Sequence, residues 1–245
     1  MIRAALREAS ALAIGLGGSA TTDGAAGALQ SLGLGLLDSN GVELGRGGAA
    51  LAALASLDCS GLMAPPAQGV RRLTDVANPL LEPSGAAATF GPQKGADAAG
   101  IAVLEHALTR WASVLGGDAP QWGAGAAGGA GHGAAAAWGA TLASGSAAVA
   151  RLSGLVVAIR EADVLLTGEG RFDSTSRGGK VVGYALDHAE TRTGVVVVAG
   201  RIDVEPVRAG TQTVDLTALA RSTEEAQSRP GRWLRAAGEA AASRH

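Results

Sequence analysis

Aromatic side chains are scarce in this sequence, at 3% of 245 residues, with one tyrosine and two phenylalanines. Proteins that hold single-stranded nucleic acid stack bases on aromatic rings, so that class is disfavoured from the start. Charge is also thin, at 17% of residues, and the formal net charge is −2. No basic field exists to neutralise a phosphate backbone, and no Lys/Arg cluster to hold an anionic membrane surface. There is one cysteine, Cys59. It has no partner for an internal disulfide, which fits a reducing cytoplasm, and it is expected to be a small core or surface residue rather than a nucleophile. The histidines, His106, His132, His188 and His245, are scattered without ligand spacing, so a zinc site or a Ser-His-Asp triad has little support. His132 is expected to face solvent. No apolar run is long enough to cross a bilayer, because glycines interrupt the alanine-rich stretches. Met1 to Glu8 reads as the start of an amphipathic helix, not as a signal peptide. These absences point to a cytoplasmic protein that acts on a small molecule.

What the chain has is glycine, 38 of them. At roughly 150 residues per domain the length allows one to two domains, and a chain of this size buries roughly 70–75% of its unfolded surface without a metal or disulfide staple. Ile14 leads into a glycine turn, Gly15 to Asp23. Thr21, Thr22 or Asp23 is placed to cap a helix over Gly24–Leu32, which Gly33 would end. Leu34–Asp38 reads as a strand and Ser39-Asn40-Gly41 as a turn. Val70–Val76 is a strand, and Gly85–Lys94 a loop. Ile101, Leu104, Ala107, Leu108, Trp111 and Leu115 recur at helical spacing. Gly123–Gly133 is nearly pure glycine and alanine, a linker by composition or a ligand-facing loop. Leu152–Glu161 looks helical. Asp163–Thr167 is a buried strand ending at Gly168. A helix over Gly179–His188 and a buried strand over Val195–Gly200 follow, completing a βαβ unit. The valine runs suggest a parallel sheet covered on both faces. Glu224–Ser243 is a terminal helix broken at Pro230.

Several segments carry chemistry. In Gly15-Leu16-Gly17-Gly18-Ser19-Ala20-Thr21-Thr22-Asp23, glycine lets the backbone approach an anion, and the following helix offers unpaired N–H groups. Ser19 and Thr21 add hydroxyls and Asp23 a carboxylate. An ordinary capped turn explains the segment equally well, and it also matches the Gly-x-Gly-x-x-Ala dinucleotide fingerprint, with Asp38 as the ribose ligand of an NAD-dependent oxidoreductase. Asp75 sits at the carboxyl end of a strand, where open α/β sheets bind ligands; Asn78 precedes a proline, and a turn suffices to explain it. Gln93 and Lys94 lie on a glycine- and proline-rich loop, where a lysine suits a phosphate or a carboxylate. Gly168, Glu169, Gly170, Arg171 and Asp173 place two carboxylates and a guanidinium just beyond a strand, and Lys180 opens the next helix. Gly178-Gly179-Lys180 is followed by Val181, so this is not a Walker A loop. Phosphoryl transfer needs cations, carboxylates and glycine loops, and all are present.

In this order, these segments resemble the glycerate kinase family. The matching stretches are Gly15–Gly24, Asp75–Leu80, Phe90–Ala96, Gly123–Gly129 and Ala162–Asp173, continuing through Gly179-Lys180. The similarity runs from the N-terminus to about Gly200. The resemblance implies ATP- and Mg²⁺-dependent phosphorylation of D-glycerate to 2- or 3-phosphoglycerate. It implies two α/β domains, one a Rossmann- or flavodoxin-like parallel sheet, with the active site in the cleft between them. Asp23, Glu169, Asp173 and Lys180 are the expected catalytic residues. Gly17, Gly18, Ser19, Thr21, Asp75, Asn78, Gln93, Lys94, Gly168, Gly170 and Arg171 are the expected substrate or phosphate contacts. No metal ligand is assigned.

The chain departs from the family pattern in places. Thr22, Ala25 and Ala77 stand where Asn, Gly and Asp are usual. The family's leading portion, with Asp-Ser-Phe-Lys-Gly and Asp-Gly-Gly-Glu-Gly motifs, does not occur. The expectation is a central domain over 1–158 and an incomplete parallel-sheet domain over 159–245, whose strand edges would favour self-association. A non-catalytic remnant of the kinase is the alternative.

Overall fold

The computed structural model describes residues 1–81, 83–177 and 181–242. Gly179 and Lys180, expected to open a helix and, for Lys180, to act in catalysis, lie outside the described residues. The chain forms two compact units, Met1–Gly145 and Ser146–His245, so that residues 146–158 cluster with the second.

The first unit holds α1 (Ile2–Ala5), β1 (Leu12–Gly15), α2 (Ala26–Ser31), β2 (Gly35–Leu37), β3 (Ser56–Asp58), β4 (Val70–Leu73), α3 (Ala86–Phe90), α4 (Ala98–Leu115), α5 (Ala126–Trp138) and β5 (Thr141–Ala143). β1, β4 and β5 form a parallel sheet in that order, and β2 pairs antiparallel with β3. The helical spacing read over Ile101–Leu115 becomes α4. Asp97 caps it by accepting from Gly100 N at 2.7 Å. Ala107, Leu108 and Trp111 are fully buried against Leu29, Leu36, Leu51, Leu54 and Leu80. Each such large side chain contributes roughly 1.5–3 kcal/mol by leaving water.

Two segments read as loops are helical. Gly85–Lys94 folds into α3 and a 3₁₀ turn, Pro92–Lys94. Gly123–Gly133, expected as a linker or a ligand-facing loop, is largely the buried first half of α5. Its lack of side chains is what buries it, because backbone meets backbone there. A Cβ on Gly128 would lie 2.1 Å from Thr21 O, and one on Gly133 would lie 2.0 Å from Gly24 O. The helix is entered through left-handed residues, Ala127, Gly128 and Gly129. His132, expected in solvent, is 1% exposed on α5.

The second unit holds most of α6 (Gly145–Leu152), then α7 (Leu155–Glu161), β6 (Val164–Phe172), α8 (Val181–His188), β7 (Gly194–Ile202), β8 (Gln212–Asp215), α9 (Leu216–Ala220), α10 (Thr223–Ser228) and α11 (Pro230–Ala242). β6, β7 and β8 form a parallel sheet in that order, and β6-α8-β7 is the expected βαβ unit. The terminal helix is broken at Pro230 as expected, into α10 and α11, and Pro230 opens α11 because its missing N–H costs nothing in a first turn. Two corrections concern β6. It does not end at Gly168 but continues to Phe172, paired with Ile202 of β7. Nor is it buried on both faces: Val164 is 53% exposed and Leu166 62%. Among the described residues it pairs only with β7, whereas the central β7 buries Val195, Val196 and Val197. No helix among the described residues is long and apolar enough to cross a membrane.

Candidate functional site

The glycine turn leaves β1 where Leu16 N donates to Leu73 O at 2.8 Å. From Gly17 to Asp23, no backbone N–H meets a backbone carbonyl among the described residues. A Cβ added at Gly17 or Gly18 would find open space. Lys94 reaches across from the 3₁₀ turn, and its Nζ donates to Ser19 Oγ at 2.9 Å and to Thr21 O at 2.6 Å. Partial burial pushes the Lys94 ammonium below the usual lysine value, and Asp23 pulls it partly back. Gly17, Gly18, Ser19, Gln93, Lys94 and Gly128 line one cavity of about 160 Å³.

The turn rests on a rigid base. Trp111 Nε1 donates to Gly24 O at 3.1 Å, and Gly24 N to Gly128 O at 3.0 Å. Asp23 is buried, and its oxygens accept from Ala25 N at 3.2 Å and Gly27 N at 3.1 Å. It therefore satisfies open amides at the start of α2. Thr22 beside it buries an Oγ1 that has no partner.

Asp75 and Asn78 do not line this cavity. Asp75 Oδ1 accepts from Ser144 Oγ and Gly145 N, both at 3.0 Å, and so ties the end of β4 to the residues after β5. Asn78 Nδ2 donates to Ser84 O at 2.7 Å and Thr89 Oγ1 at 3.3 Å, pinning its loop to α3. Arg72, on β4, is 1% exposed and makes contacts the sequence did not suggest. It donates to Ala140 O at 3.1 Å, to Gly131 O at 3.0 Å and to Gln121 Oε1. It anchors α5, and burial lowers its pKa.

In the second unit, Gly168, Glu169, Gly170 and Arg171 lie within β6, and Asp173 follows its end. Glu169 buries an Oε1 that has no partner. Arg171 Nε donates to Asp203 Oδ2 at 2.5 Å, and Arg201 Nε to Asp203 Oδ1 at 2.9 Å. Asp173 Oδ2 stands 4.0 Å from Arg171 Nε. The Arg171 guanidinium first, and Arg201 after it, hold the Asp203 carboxyl below its usual value. A cavity of about 610 Å³ is lined by Glu169, Arg171, Arg201, Thr217 and Gln227. Sequence reasoning missed Arg201 and Asp203. The available signal was Gly200-Arg201-Ile202-Asp203, which ends a valine strand as Gly170-Arg171-Phe172-Asp173 ends its neighbour.

A model described as the glycerate kinase family matches residues 1–245. The chain belongs to the glycerate kinase family. Among its relatives, Glycerate 2-kinase of Escherichia coli K12 is 42% identical over 203 residues, covering 79% of this chain and 53% of that protein. Glycerate kinase of Bacillus subtilis 168 is 42% identical over 201 residues, with the same two coverages. A crystal structure from Salmonella typhimurium LT2, of a protein assigned as glycerate kinase 2, superposes with TM-score 0.72 at 35% identity. It matches 99% of this chain and 66% of its own. The chain spans about half the length of the curated relatives it matches.

Membership in the glycerate kinase family agrees with the fate of the dinucleotide reading, which the geometry overturns. β2, which precedes Asp38, is antiparallel to β3 rather than part of a parallel sheet. Asp38 Oδ1 accepts from Asn40 N at 2.8 Å and Val42 N at 2.9 Å, so its carboxylate closes a turn. α2 begins at Ala26, well after the glycines, where a dinucleotide fold starts its helix at the turn itself.

Proposed function

We propose that this chain serves the transfer of the terminal phosphoryl group of ATP to a hydroxyl of D-glycerate, giving 2- or 3-phosphoglycerate. The observation that carries this reading is Lys94 drawn across an open glycine turn by Ser19 and the Thr21 carbonyl. Unpaired amides beside one ammonium form an anion receptor that needs no large reorganisation. The relatives' names, Glycerate 2-kinase and Glycerate kinase, supply the acceptor.

The anion of substrate or nucleotide sits against Gly17, Gly18, Ser19 and Lys94, and Gln93 offers an amide to it. Within the second unit, Arg171 suits a phosphate or a carboxylate. Asp75 and Asn78 support the loop between β4 and α3. A carboxylate must take the hydroxyl proton; Glu169 suits this best, because its Oε1 has no competing donor, while both Asp23 oxygens are occupied. Among the described residues, no group of three or more His, Cys, Asp or Glu side chains is placed to hold a metal ion. Mg²⁺ commonly uses only one or two carboxylates and takes its other oxygens from phosphates and water. The donor set therefore fits a Mg²⁺ that arrives with the nucleotide, held by Asp173. Bound there, it would neutralise charge on the phosphates. The reducing cytoplasm is the expected compartment.

The test is ADP release measured with and without D-glycerate, with the product identified by phosphorus NMR. D-glycerate-dependent release, with a phosphoglycerate as product, is expected. ADP release that ignores D-glycerate contradicts the reading.

A further inference from the structure

Arg171 and Arg201 occupy matched positions on adjacent parallel strands, being register partners near the carboxyl ends of β6 and β7. Parallel strands lie about 4.8 Å apart, so two guanidiniums on one such rung would repel unless something separates them. Asp203 does so. It gives one carboxylate oxygen to each Nε, at 2.5 Å and 2.9 Å. Both arginine side chains remain 65% exposed while Asp203 is 22% exposed. The Nε edges are therefore spent inward. Among the described residues, no Nη atom of either arginine donates a hydrogen bond. The carboxylate cannot satisfy those Nη groups, and they present N–H donors to whatever approaches the strand ends.

We propose that Arg171, Arg201 and Asp203 form a phosphate receptor, in which the two guanidiniums contact the anion and Asp203 is the positioning residue that aligns them. Paired planar forks suit the oxygens of a phosphate better than a single ammonium does. The choice of phosphate rests on the kinase reading above. The phosphate has two possible sources, the nucleotide or the phosphorylated acid. The receptor itself is the same for either.

Calorimetric titration of the full chain with ADP, and separately with 2- and 3-phosphoglycerate, tests this without turnover. Arg201→Met is expected to weaken phosphate binding roughly tenfold or more, as loss of a charge-assisted contact does. Loss confined to ADP assigns the nucleotide, and loss confined to a phosphoglycerate assigns the acid. Arg229→Met, on a guanidinium outside the receptor that pairs with Glu225, should leave both affinities unchanged. An equal loss there would reduce the effect to bulk charge and overturn the proposal. Asp203→Asn separates alignment from electrostatics. It makes the site more positive, yet it is expected to weaken binding because it releases one fork. Tighter binding would mean that Asp203 competes with the anion, and would overturn its positioning role. Wild-type affinity in Arg201→Met, or no phosphate binding by the unmodified chain, overturns the receptor. If Arg201→Met weakens binding but no D-glycerate-dependent turnover exists, the kinase reading fails and the receptor stands.

Discussion

The glycine turn of the first unit and the charged strand ends of the second, the two places proposed to receive an anion, are held by different forces. The turn is seated on buried backbone: Gly24 against Trp111, Gly128 against Thr21, and Asp23 closing the entry to α2. The arginines at the strand ends are held by ion pairs to Asp203, and those two guanidinium side chains are themselves largely in water. Exposed ion pairs contribute about 0–1 kcal/mol each, whereas close packing is intolerant of a single added methyl. The first site is therefore rigid and sensitive to steric change. The second tolerates substitution and depends on charge.

Gly128→Ala should break the first site most severely. The new methyl would lie 2.1 Å from Thr21 O on a residue held at φ 68. A left-handed alanine costs about 1–2 kcal/mol, and overpacking adds about 1–3 kcal/mol. Chemical denaturation should show a loss of roughly 2–5 kcal/mol with the second unit less affected. A loss under about 0.5 kcal/mol would show that α5 can move away from the turn, and the rigidity argument would fail.

A smaller effect is expected from acid. Burial first, and Arg72 nearby, hold the His132 imidazole below its ordinary value of 6.5. The unfolded chain then binds more protons than the folded one below that value, so stability is lost as pH falls through it. His132→Gln should flatten the fall in thermal midpoint between about pH 7 and pH 5. An unchanged slope would assign the acid sensitivity to other groups.

The smallest effect belongs to β6. Leu166 is 62% exposed, so Leu166→Ser should shift unfolding by no more than about 0.5 kcal/mol. A loss well above that would mean this face is covered in solution, which sedimentation would reveal as self-association.

These contrasts explain what the sequence disclosed. α4 was legible because Ile101, Leu104, Leu108 and Trp111 mark one apolar stripe. α5 was not, because glycine and alanine carry no stripe, and its helix is fixed by backbone contacts that only the fold creates. The end of β6 was misplaced because glycine usually punctuates a strand. Here Gly168 instead permits close approach to Val198 O, and β7 carries the pairing to Phe172. Lys94, Gln93 and the Gly17-Gly18-Ser19 turn were legible as motifs, and the fold brings them together. Asp75 and Asn78 share the loop between β4 and α3 without reaching the cavity. Asp203 escaped notice because a lone aspartate after a strand has no signature until its two arginines are seen beside it.

The central claim is that Lys94 and the glycine turn receive an anion during phosphoryl transfer. D-glycerate-dependent ADP release should be measured for the unmodified chain and for Lys94→Met, with the unfolding transition recorded for both. The account predicts turnover in the first and a loss of about 10²–10³-fold in the second, with a cooperative transition retained. Equal turnover in the two would contradict it.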